Sequence, residues 1–247
     1  MSKLQGKFVW FELVTRDARK AQAFYGEVLG WKVTAFPMGP TTYEMITLGE
    51  APIGGYDTAG KGEAPHWTSY ASVVDLDAAI AKVKSAGGKV LDAVKDVPTV
   101  GRMVKIADPT GAVLNLYQSA NADEPDAEWK AGTFNWNELH TADPARAVRF
   151  YQEALGYASK DMDMGPMGTY HVLEQSGGPR GGVLKAQGDA PTMWLPYVAV
   201  DDVDAAAARA ARLGGKVIAP AEDIPNIGRF AILADNDGAV FAVIRPA

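Results

Sequence analysis

An internal repeat constrains the fold of this chain more than any other feature of its sequence. The segment FVWFELVTRDARKAQAFYGEVLGW begins at Phe8, and FNWNELHTADPARAVRFYQEALGY begins 126 positions later, at Phe134. Twelve of the 24 aligned residues are identical. In a chain of 247 residues, such a repeat predicts two related halves.

Each copy predicts a strand followed by a helix. From Phe8 to Val14 the side chains alternate between two mostly apolar faces, which is strand periodicity. Asp17 is a favoured helix N-cap and Gly30 a favoured helix stop, and Asp143 and Gly156 match them in the second copy. Three short apolar runs separated by Pro and Gly follow each helix and predict three strands. One unit is therefore strand, helix and three strands.

The same unit recurs on a finer scale. The segment WTSYASVVDLDAAIAKVKSAGG, from Trp67, again predicts a strand and an Asp-capped helix that ends at glycine, so four units fill the chain. Asp75 is matched with Asp201 at a spacing of 126, whereas Asp108 is matched with Asp235 at a spacing of 127. This change of spacing predicts one inserted residue near the start of the fourth helix.

The two halves are joined by an acidic segment, SANADEPDAEWKAG, which contains too few apolar residues to form a core element. The sequence predicts a first domain at 1–118, a linker at 119–132 that Trp129 holds in place, and a second domain at 133–247.

Composition narrows the function classes. The net charge is −6 and the sequence pI is near 5.1, and no run of Lys or Arg provides a surface for nucleic acid or anionic membrane. The chain has no cysteine, which excludes disulfides, thiolate metal sites and a cysteine nucleophile. No apolar stretch reaches the roughly 18 residues that cross a bilayer. We expect a cytoplasmic protein, a monomer or weak homodimer, whose partner is a small molecule.

The repeated motifs resemble those of the vicinal oxygen chelate superfamily, which includes glyoxalases, bleomycin-resistance proteins and extradiol dioxygenases. The resemblance rests on ELVTRDARKAQAFYGEVLGW and ELHTADPARAVRFYQEALGY, and on the turns DPTG and DNDG before the last strand of each half. It implies an α+β fold with two glyoxalase-like domains, each made of two paired βαβββ modules that form a cup-shaped mixed sheet.

Enzymes of this superfamily bind a divalent metal through His or carboxylate side chains at four positions. Carried onto the first half, those positions hold Trp10, the pair Gly54 and Gly55, Ser69, and Asn115. In the second half they hold Trp136, the pair Gly181 and Gly182, Leu195, and Ala242. These residues are not a ligand set for a hard or borderline cation. We therefore expect no metal and no cofactor.

Tryptophan and glutamate take the place of those ligands. Trp10 and Glu12 share one strand face, and Trp136, Glu138 and His140 share the matching face of the second copy. An indole beside a carboxylate suits an aromatic, amphipathic or cationic ligand. The glycine pairs would let a ligand approach the backbone. Alternatively, each indole fills the former metal cavity and each glutamate pairs with a nearby arginine or backbone donor.

The histidines and two of the arginines are further candidate site residues, and each has more than one interpretation. Glu138 and His140 form a possible acid–base pair, although a structural histidine is the more common case. A metal cluster of Glu138, His140 and His171 is a further alternative. Arg102 and Arg229 enter matching strands, where each could clamp an anionic ligand or, as we favour slightly, pair with the glutamate of its repeat.

Two function classes remain. The first is metal-independent binding or sequestration of a small molecule. The predicted contacts are Trp10, Glu12, Trp67, Ser69 and Asn115 in one half, and Trp136, Glu138, His140 and Tyr197 in the other. The second is a glyoxalase-like lyase or isomerase that acts on a reactive carbonyl compound, with Glu12 or Glu138 as the base.

Overall fold

A computed structural model of the chain describes residues 4–38, 41–126, 128–165, 168–188 and 190–247. The first half contains β1 (Phe8–Thr15), α1 (Ala18–Leu29), β2 (Lys32–Met38), β3 (Thr41–Leu48), β4 (Ala51–Thr58), β5 (His66–Ser72), α2 (Leu76–Ser85), β6 (Lys89–Val90), β7 (Lys95–Val97), β8 (Gly101–Ala107) and β9 (Val113–Ser119). The second half contains β10 (Phe134–Thr141), α3 (Pro144–Leu155), β11 (Ala158–Asp163), β12 (Thr169–Gln175), β13 (Gly178–Lys185), β14 (Met193–Ala199), α4 (Val203–Arg212), β15 (Lys216–Ile224), β16 (Gly228–Ala234) and β17 (Val240–Pro246).

Within the described residues, the strands form two mixed sheets, one from each half. The first has the order β2-β3-β4-β1-β5-β9-β8-β6, with β7 paired to β8, and the second has the order β11-β12-β13-β10-β14-β17-β16-β15. The first and last strand of each module pair in parallel, as β1 does with β4, and the strands that follow each helix pair antiparallel with one another. The predicted α+β fold of paired βαβββ modules is confirmed.

Side-chain caps set the helix boundaries, as the sequence predicts. The carboxylates of Asp17 and Asp143 accept hydrogen bonds from the third residue of α1 and of α3, and Pro144 occupies the first turn of α3. Gly30 and Gly156 end these helices with a left-handed backbone, φ 74° and φ 77°, which only glycine adopts without strain.

By the density of contacts, the chain divides into two compact units that each draw on both halves. The first unit comprises residues 1–10, 69–127 and 136–194, and the second comprises 11–68, 128–135 and 195–247. In the first unit α2 packs against α3, and in the second α1 packs against α4. The boundaries given above for two domains and a linker stay a prediction.

One copy of the repeated Phe–Tyr pair, Phe150 and Tyr151, is packed in the core of the first unit. The ring of Phe150 lies so close to Gly88 that a β-carbon there would be within 2.6 Å of it. The hydroxyl of Tyr151 accepts a hydrogen bond of 2.9 Å from Nε1 of Trp194, and all three aromatic side chains are buried. The second glycine of the GG pair after α2 therefore makes room for Phe150.

The second unit repeats this arrangement. A β-carbon on Gly215 would come within 2.9 Å of the Phe24 ring. The Tyr25 hydroxyl accepts a 2.9 Å bond from Nε1 of Trp67 and donates a 3.1 Å bond to Oδ2 of Asp235. Burial and the neighbouring carboxylate of Asp235 raise the pKa of Tyr25 well above its usual value, so this hydroxyl stays a donor.

The structure corrects the alignment of the second and fourth modules. The N-caps of α2 and α4 are Asp75 and Asp202, so Asp75 corresponds to Asp202 and not to Asp201. Tyr43 and Tyr170 are already 127 positions apart, whereas Phe24 and Phe150 are 126 apart. The added residue therefore lies earlier in the second half, between β11 and β12, and not near the start of α4.

The acidic linker is held by charge and not by its tryptophan. Asp126 accepts two hydrogen bonds, of 2.7 and 2.8 Å, from Nη1 of Arg180, which lies on β13. Asp123 accepts a 2.6 Å bond from the hydroxyl of Ser72. Trp129 is 44% exposed, so the prediction that it pins the linker is wrong.

The described helices include none with both the length and the apolarity to cross a membrane.

Candidate functional site

One face of β10 carries the side chains that the sequence singled out in the second half. Trp136, Glu138 and His140 alternate with Asn137 and Leu139, so the first three point to the same side of the strand. Leu139 belongs to the buried core on the other side. Trp136 and His140 are partly exposed, whereas Glu138 is only 8% exposed.

A tyrosine that the sequence reasoning missed joins two of these residues. The Tyr170 hydroxyl, on β12, donates a 2.8 Å hydrogen bond to Oε2 of Glu138 and accepts a 2.7 Å bond from Nε1 of Trp136. Burial, followed by the charge of Glu138, raises the pKa of Tyr170 far above its usual range. The tyrosine is therefore a permanent donor, and it fixes the orientation of the carboxylate.

His140 holds the other carboxylate oxygen. Its Nε2 lies 2.8 Å from Oε1 of Glu138, and the two side chains are only 15% and 10% exposed. Both oxygens of Glu138 are thus hydrogen-bonded in a nearly dry environment, where charged hydrogen bonds are strong. We call Trp136, Glu138, His140 and Tyr170 the Glu138 cluster.

The first half contains a simpler version. The Tyr43 hydroxyl, on β3, donates a 2.7 Å hydrogen bond to Oε1 of Glu12, which is 9% exposed. Val14 stands where the second half has His140, and it is buried. Glu12 and Tyr43, the Glu12 pair, therefore keep the tyrosine–carboxylate bond without a histidine.

The glycine pairs explain how each tyrosine reaches its glutamate. Glu12 lies directly beside Gly55 in the β1–β4 register, and Glu138 lies directly beside Gly182 in the β10–β13 register. A β-carbon on either glycine would overlap the hydroxyl of Tyr43 or Tyr170. Each tyrosine side chain therefore passes over a glycine of the strand in between, and its hydroxyl reaches the glutamate on the strand beyond. The expectation that the space above each glycine admits a ligand to the backbone is wrong for Gly55 and Gly182.

The other glycine of each pair has a backbone neighbour. A β-carbon on Gly181 would come within 2.6 Å of the carbonyl oxygen of Asn137, and one on Gly54 would overlap the carbonyl of Phe11. Neither position has room for a side chain of any kind, so neither position can supply a metal ligand.

The superfamily's metal does not fit the residues found at its positions. In the part of the chain that the structure describes, no three His, Asp or Glu side chains are grouped as metal ligands. The suggested cluster of Glu138, His140 and His171 is not formed. His171 follows Tyr170 on β12 and so points to the opposite face, where its Nδ1 lies 2.7 Å from Oδ1 of Asp161.

Two predicted ligand contacts lie on the wrong face of β5. Trp67 is 4% exposed and donates its indole N–H to Tyr25 within an aromatic core. Ser69 is fully buried and points to the same side as Ala71, which belongs to the core cluster of the first unit. The outward face of β5 instead presents Tyr70. The strand has both faces covered, so its sequence pattern did not distinguish them.

Asn115 and Tyr197 lie on faces that point away from the helices. Asn115 alternates with the core residues Leu114 and Leu116 on β9. Tyr197 stands directly beside Ala242 in the β14–β17 register, and its ring centroid is 6.3 Å from that of Phe230. The corrected alignment makes Tyr70 the counterpart of Tyr197, and Pro196, not Leu195, the counterpart of Ser69.

The two arginines pair with aspartates of the helices and not with glutamates of the repeat. Arg102 makes 2.9 and 3.1 Å hydrogen bonds to Asp77 in the first turn of α2, which lower the pKa of that aspartate. Arg229 bonds Asp204 at 2.8 and 2.9 Å and lies 3.2 Å from Asp223. The favoured pairing with Glu12 or Glu138 is therefore wrong. A role in ligand binding stays a prediction.

Known proteins are similar to this chain in sequence and in fold. A family model described as "Bleomycin resistance protein-like N-terminal" matches residues 7–49, and one described as "Glyoxalase-like domain" matches residues 136–244. "Putative glyoxylase CFP32" of Mycobacterium tuberculosis is 39% identical over 254 residues, covering 98% of this chain and 96% of that protein. The chain belongs to the vicinal oxygen chelate superfamily.

Two further proteins are similar over nearly the whole of this chain. "Anthracycline biosynthesis protein DauV" of Streptomyces sp. strain C5 is 32% identical over 260 residues, covering 97% of this chain and 93% of that protein. The Mn(II)-bound glyoxalase from Novosphingobium aromaticivorans has a TM-score of 0.69 at 18% identity, covering 99% of this chain and 83% of that one. The last comparison concerns the fold alone.

Proposed function

We propose that this superfamily member binds a small aromatic or amphipathic molecule, with a cationic or hydrogen-bond-donating group, without using a metal ion. The binding groups are Trp136 and Glu138 on β10, with Glu12 in the matching place on β1. The observation that carries the proposal is the tyrosine–glutamate bond laid over a strand glycine, which occurs once in each half.

The chemistry of the Glu138 cluster supports this function. A carboxylate that is held by Tyr170 and His140 keeps a fixed direction. A carboxylate with a fixed direction can pair with a cation at little cost in ordering. The indole of Trp136, partly exposed beside it, offers a flat apolar surface for an aromatic ring.

The names of the relatives indicate a ligand class to test first. Two relatives are called anthracycline biosynthesis proteins. An anthracycline is a planar aromatic ring system that carries a protonated amino sugar, so it combines the two features that an indole and a carboxylate recognise. We therefore use an anthracycline as the probe.

The test is a titration of the protein with an anthracycline, followed by the fluorescence of the probe. Glu138→Gln and Glu12→Gln keep shape and remove charge, and each is expected to weaken its own site at least about tenfold, the effect of losing one charged hydrogen bond. Glu153→Gln, on the exposed side of α3, is the matched control and should bind normally. Normal binding by both site variants would contradict the proposal.

A second function is favoured by one observation in the second half. The His140–Glu138 hydrogen bond gives that half an acid–base pair, which Val14 removes from the first half. In a glyoxalase-like lyase or isomerase, Glu138 would take a proton from a carbon next to a carbonyl group. A relative named as a glyoxylase supports this class.

Turnover separates the two functions. The protein is incubated with an α-oxoaldehyde and a thiol, and the products are identified by mass spectrometry. An enzyme should lose its activity in Glu138→Gln and in His140→Val, which copies the first half, whereas Val14→Ala should retain it. A binding protein should give the same compounds as an incubation of the α-oxoaldehyde and the thiol without protein.

A further inference from the structure

Strand β11 separates its charges between its two faces. Along the segment ASKDMD, Lys160 and Met162 point to one side, whereas Asp161 and Asp163 point to the other. On its own side, Asp161 is bonded to His171, with Oδ1 at 2.7 Å from Nδ1 of the imidazole. The strand therefore turns a positive charge to one face and its negative charges to the opposite face.

The face with the positive charge is also the face of the Glu138 cluster. Lys160 of β11 stands beside Val172 of β12. Val172 stands beside Gly182 of β13, which stands beside Glu138 of β10. Residues directly opposite each other on neighbouring strands share a face, so Lys160 and Glu138 belong to one row. Neighbouring strands are about 4.8 Å apart, which puts these two residues about 14 Å from each other at the backbone.

The surface between the two charges is mostly apolar. Val172 is partly buried, Gly182 has no side chain, and the side chain of Tyr170 passes over this glycine. Met162, which stands beside Tyr170, is 37% exposed. A lysine stem can lie along such a surface with its ammonium group in water. The same surface suits the aromatic body of a ligand that reaches from one charge to the other.

Lys160 is not engaged by another group. Among the residues that the structure describes, its ammonium group makes no hydrogen bond or ion pair, and the residue is exposed. A lysine on an edge strand can serve to keep other chains from pairing with that edge, and β11 is an edge strand. A lysine at any position of β11 would meet that need, whereas Lys160 stands in register with Glu138.

The matching row of the first half lacks the positive charge. Thr34 takes the place of Lys160 and stands beside Met45 of β3. Met45 stands beside Gly55, and Gly55 stands beside Glu12. The glycine and the glutamate are therefore kept, and the fold forms with threonine or with lysine at the far end of the row. The two halves differ in what they offer to the distant end of a ligand.

We propose that the second half selects a zwitterionic aromatic ligand, whose cationic group pairs with Glu138 and whose carboxylate pairs with Lys160. The inference rests on the proposed function, which assigns the cationic group to Glu138. The compact charge of a lysine suits a single carboxylate. The separation of the two residues leaves room for two aromatic rings between the charges of the ligand. The first half, which has Thr34, should bind the same cation without a preference for the carboxylate.

The experiment uses 4′-(aminomethyl)biphenyl-4-carboxylate, a rigid molecule with an ammonium group and a carboxylate at opposite ends of two aromatic rings. The comparison compound is 4′-(aminomethyl)biphenyl-4-carboxamide, which keeps the ammonium group and loses the negative charge. Both are titrated by calorimetry into the full chain carrying Glu12→Gln, so that binding by the second half is measured. The carboxylate is expected to bind about threefold to fivefold more tightly at low ionic strength, the effect of one exposed ion pair. Added salt should reduce the preference.

Three further variants locate the source of the preference. Lys160→Thr copies the first half and should bind the two compounds equally, whereas Lys160→Arg should keep the preference. Lys185→Thr is the matched control and should also keep it, because Lys185 is exposed and points to the other face of β13. In protein that carries Glu138→Gln in place of Glu12→Gln, Thr34→Lys should give the first half the same preference.

Equal affinities for the carboxylate and the amide in Glu12→Gln protein would overturn the inference. An undiminished preference in folded Lys160→Thr protein would overturn it as well, and is the result expected of a lysine that only protects an edge. In both cases the proposed function still holds if adding Glu138→Gln weakens the binding of both compounds. If adding Glu138→Gln leaves both affinities unchanged, the proposed function fails and this inference fails with it.

Discussion

The hydroxyl of Tyr170 and the carboxylate of Glu138 are joined by a 2.8 Å hydrogen bond across the strand that carries Gly182. The same relationship recurs between Tyr43 and Glu12 at 2.7 Å. A buried carboxylate needs a donor, and a donor from two strands away needs a glycine between them. The repeated Glu and the repeated Gly are therefore parts of one arrangement.

Removing the tyrosine hydroxyl should destabilise the protein. Tyr170→Phe removes the hydrogen bonds that the hydroxyl makes to an oxygen of Glu138 and to the indole N–H of Trp136, so we expect a loss of about 1–3 kcal/mol in the free energy of unfolding. Denaturant titration measures the change. Tyr117→Phe, which breaks a hydrogen bond to the neutral carbonyl of Val100, should cost less. Equal costs would indicate that the carboxylate is not the important partner.

The glycine and the tyrosine should be coupled. Gly182→Ala places a methyl group where the Tyr170 hydroxyl lies, so the single variant should be strongly destabilised. The same β-carbon would also overlap two ring carbons of Tyr170, so the partner substitution is Tyr170→Ala, which removes the whole ring. The double variant should therefore be less destabilised than the sum of the two single variants. Gly178→Ala, on the same strand with open space around it, should change the unfolding free energy by less than about 0.5 kcal/mol. Strict additivity would contradict this packing.

The two kinds of tryptophan should respond differently to mutation. Trp67→Phe removes a buried indole and its bond to Tyr25, so it should lower stability by about 1–3 kcal/mol and leave the affinity for an anthracycline unchanged. Trp136→Ala should weaken the affinity and change stability less. Titrations are made below the melting temperature of each variant. A loss of affinity in folded Trp67→Phe protein would restore Trp67 to the binding site.

The acidic linker should make stability depend on pH. Hydrogen bonds from Arg180 hold the pKa of Asp126 below its ordinary value of 3.8. A lowered folded-state pKa contributes stability that is complete above the unfolded value and is lost as the pH falls through the folded value. Unfolding free energies measured from about pH 5 down to about pH 2 should fall less steeply for Asp126→Asn than for the wild type. Asp92→Asn is the control, because it removes a carboxylate whose ion pair with Lys105 is exposed and long, at 3.8 Å. Identical slopes for Asp126→Asn and the wild type would show that the Asp126–Arg180 pair does not form.

The sequence predicted the repeat units, the caps Asp17 and Asp143, and the shared face of Trp136, Glu138 and His140, because these follow from local periodicity and local hydrogen bonds. It did not reveal Tyr43 or Tyr170. Their contact with glutamate depends on the register of three strands, which no local pattern specifies. The spacing of 127 between TYE and TYH was the available signal.

The errors on β5 and β12 have the same physical origin. Trp67 and Ser69 were assigned to a ligand-facing side because the strand has both faces covered, and a one-residue error in alignment exchanges the two faces. His171 was grouped with His140 although it follows Tyr170 and therefore points away. The arginine partners were missed because Asp77 and Asp204 lie in the first turns of helices, 25 residues from Arg102 and Arg229.

Calorimetric titration of metal-stripped protein with an anthracycline tests the central claim most directly. The protein is dialysed against a chelator and divided, and one portion receives Mn²⁺ before the titration. We expect the same affinity in both portions, and an affinity at least about tenfold weaker in metal-stripped Glu138→Gln protein. Binding that appears only after Mn²⁺ is added, or that is unchanged in both Glu138→Gln and Glu12→Gln, would contradict metal-independent binding through the tyrosine-held glutamates.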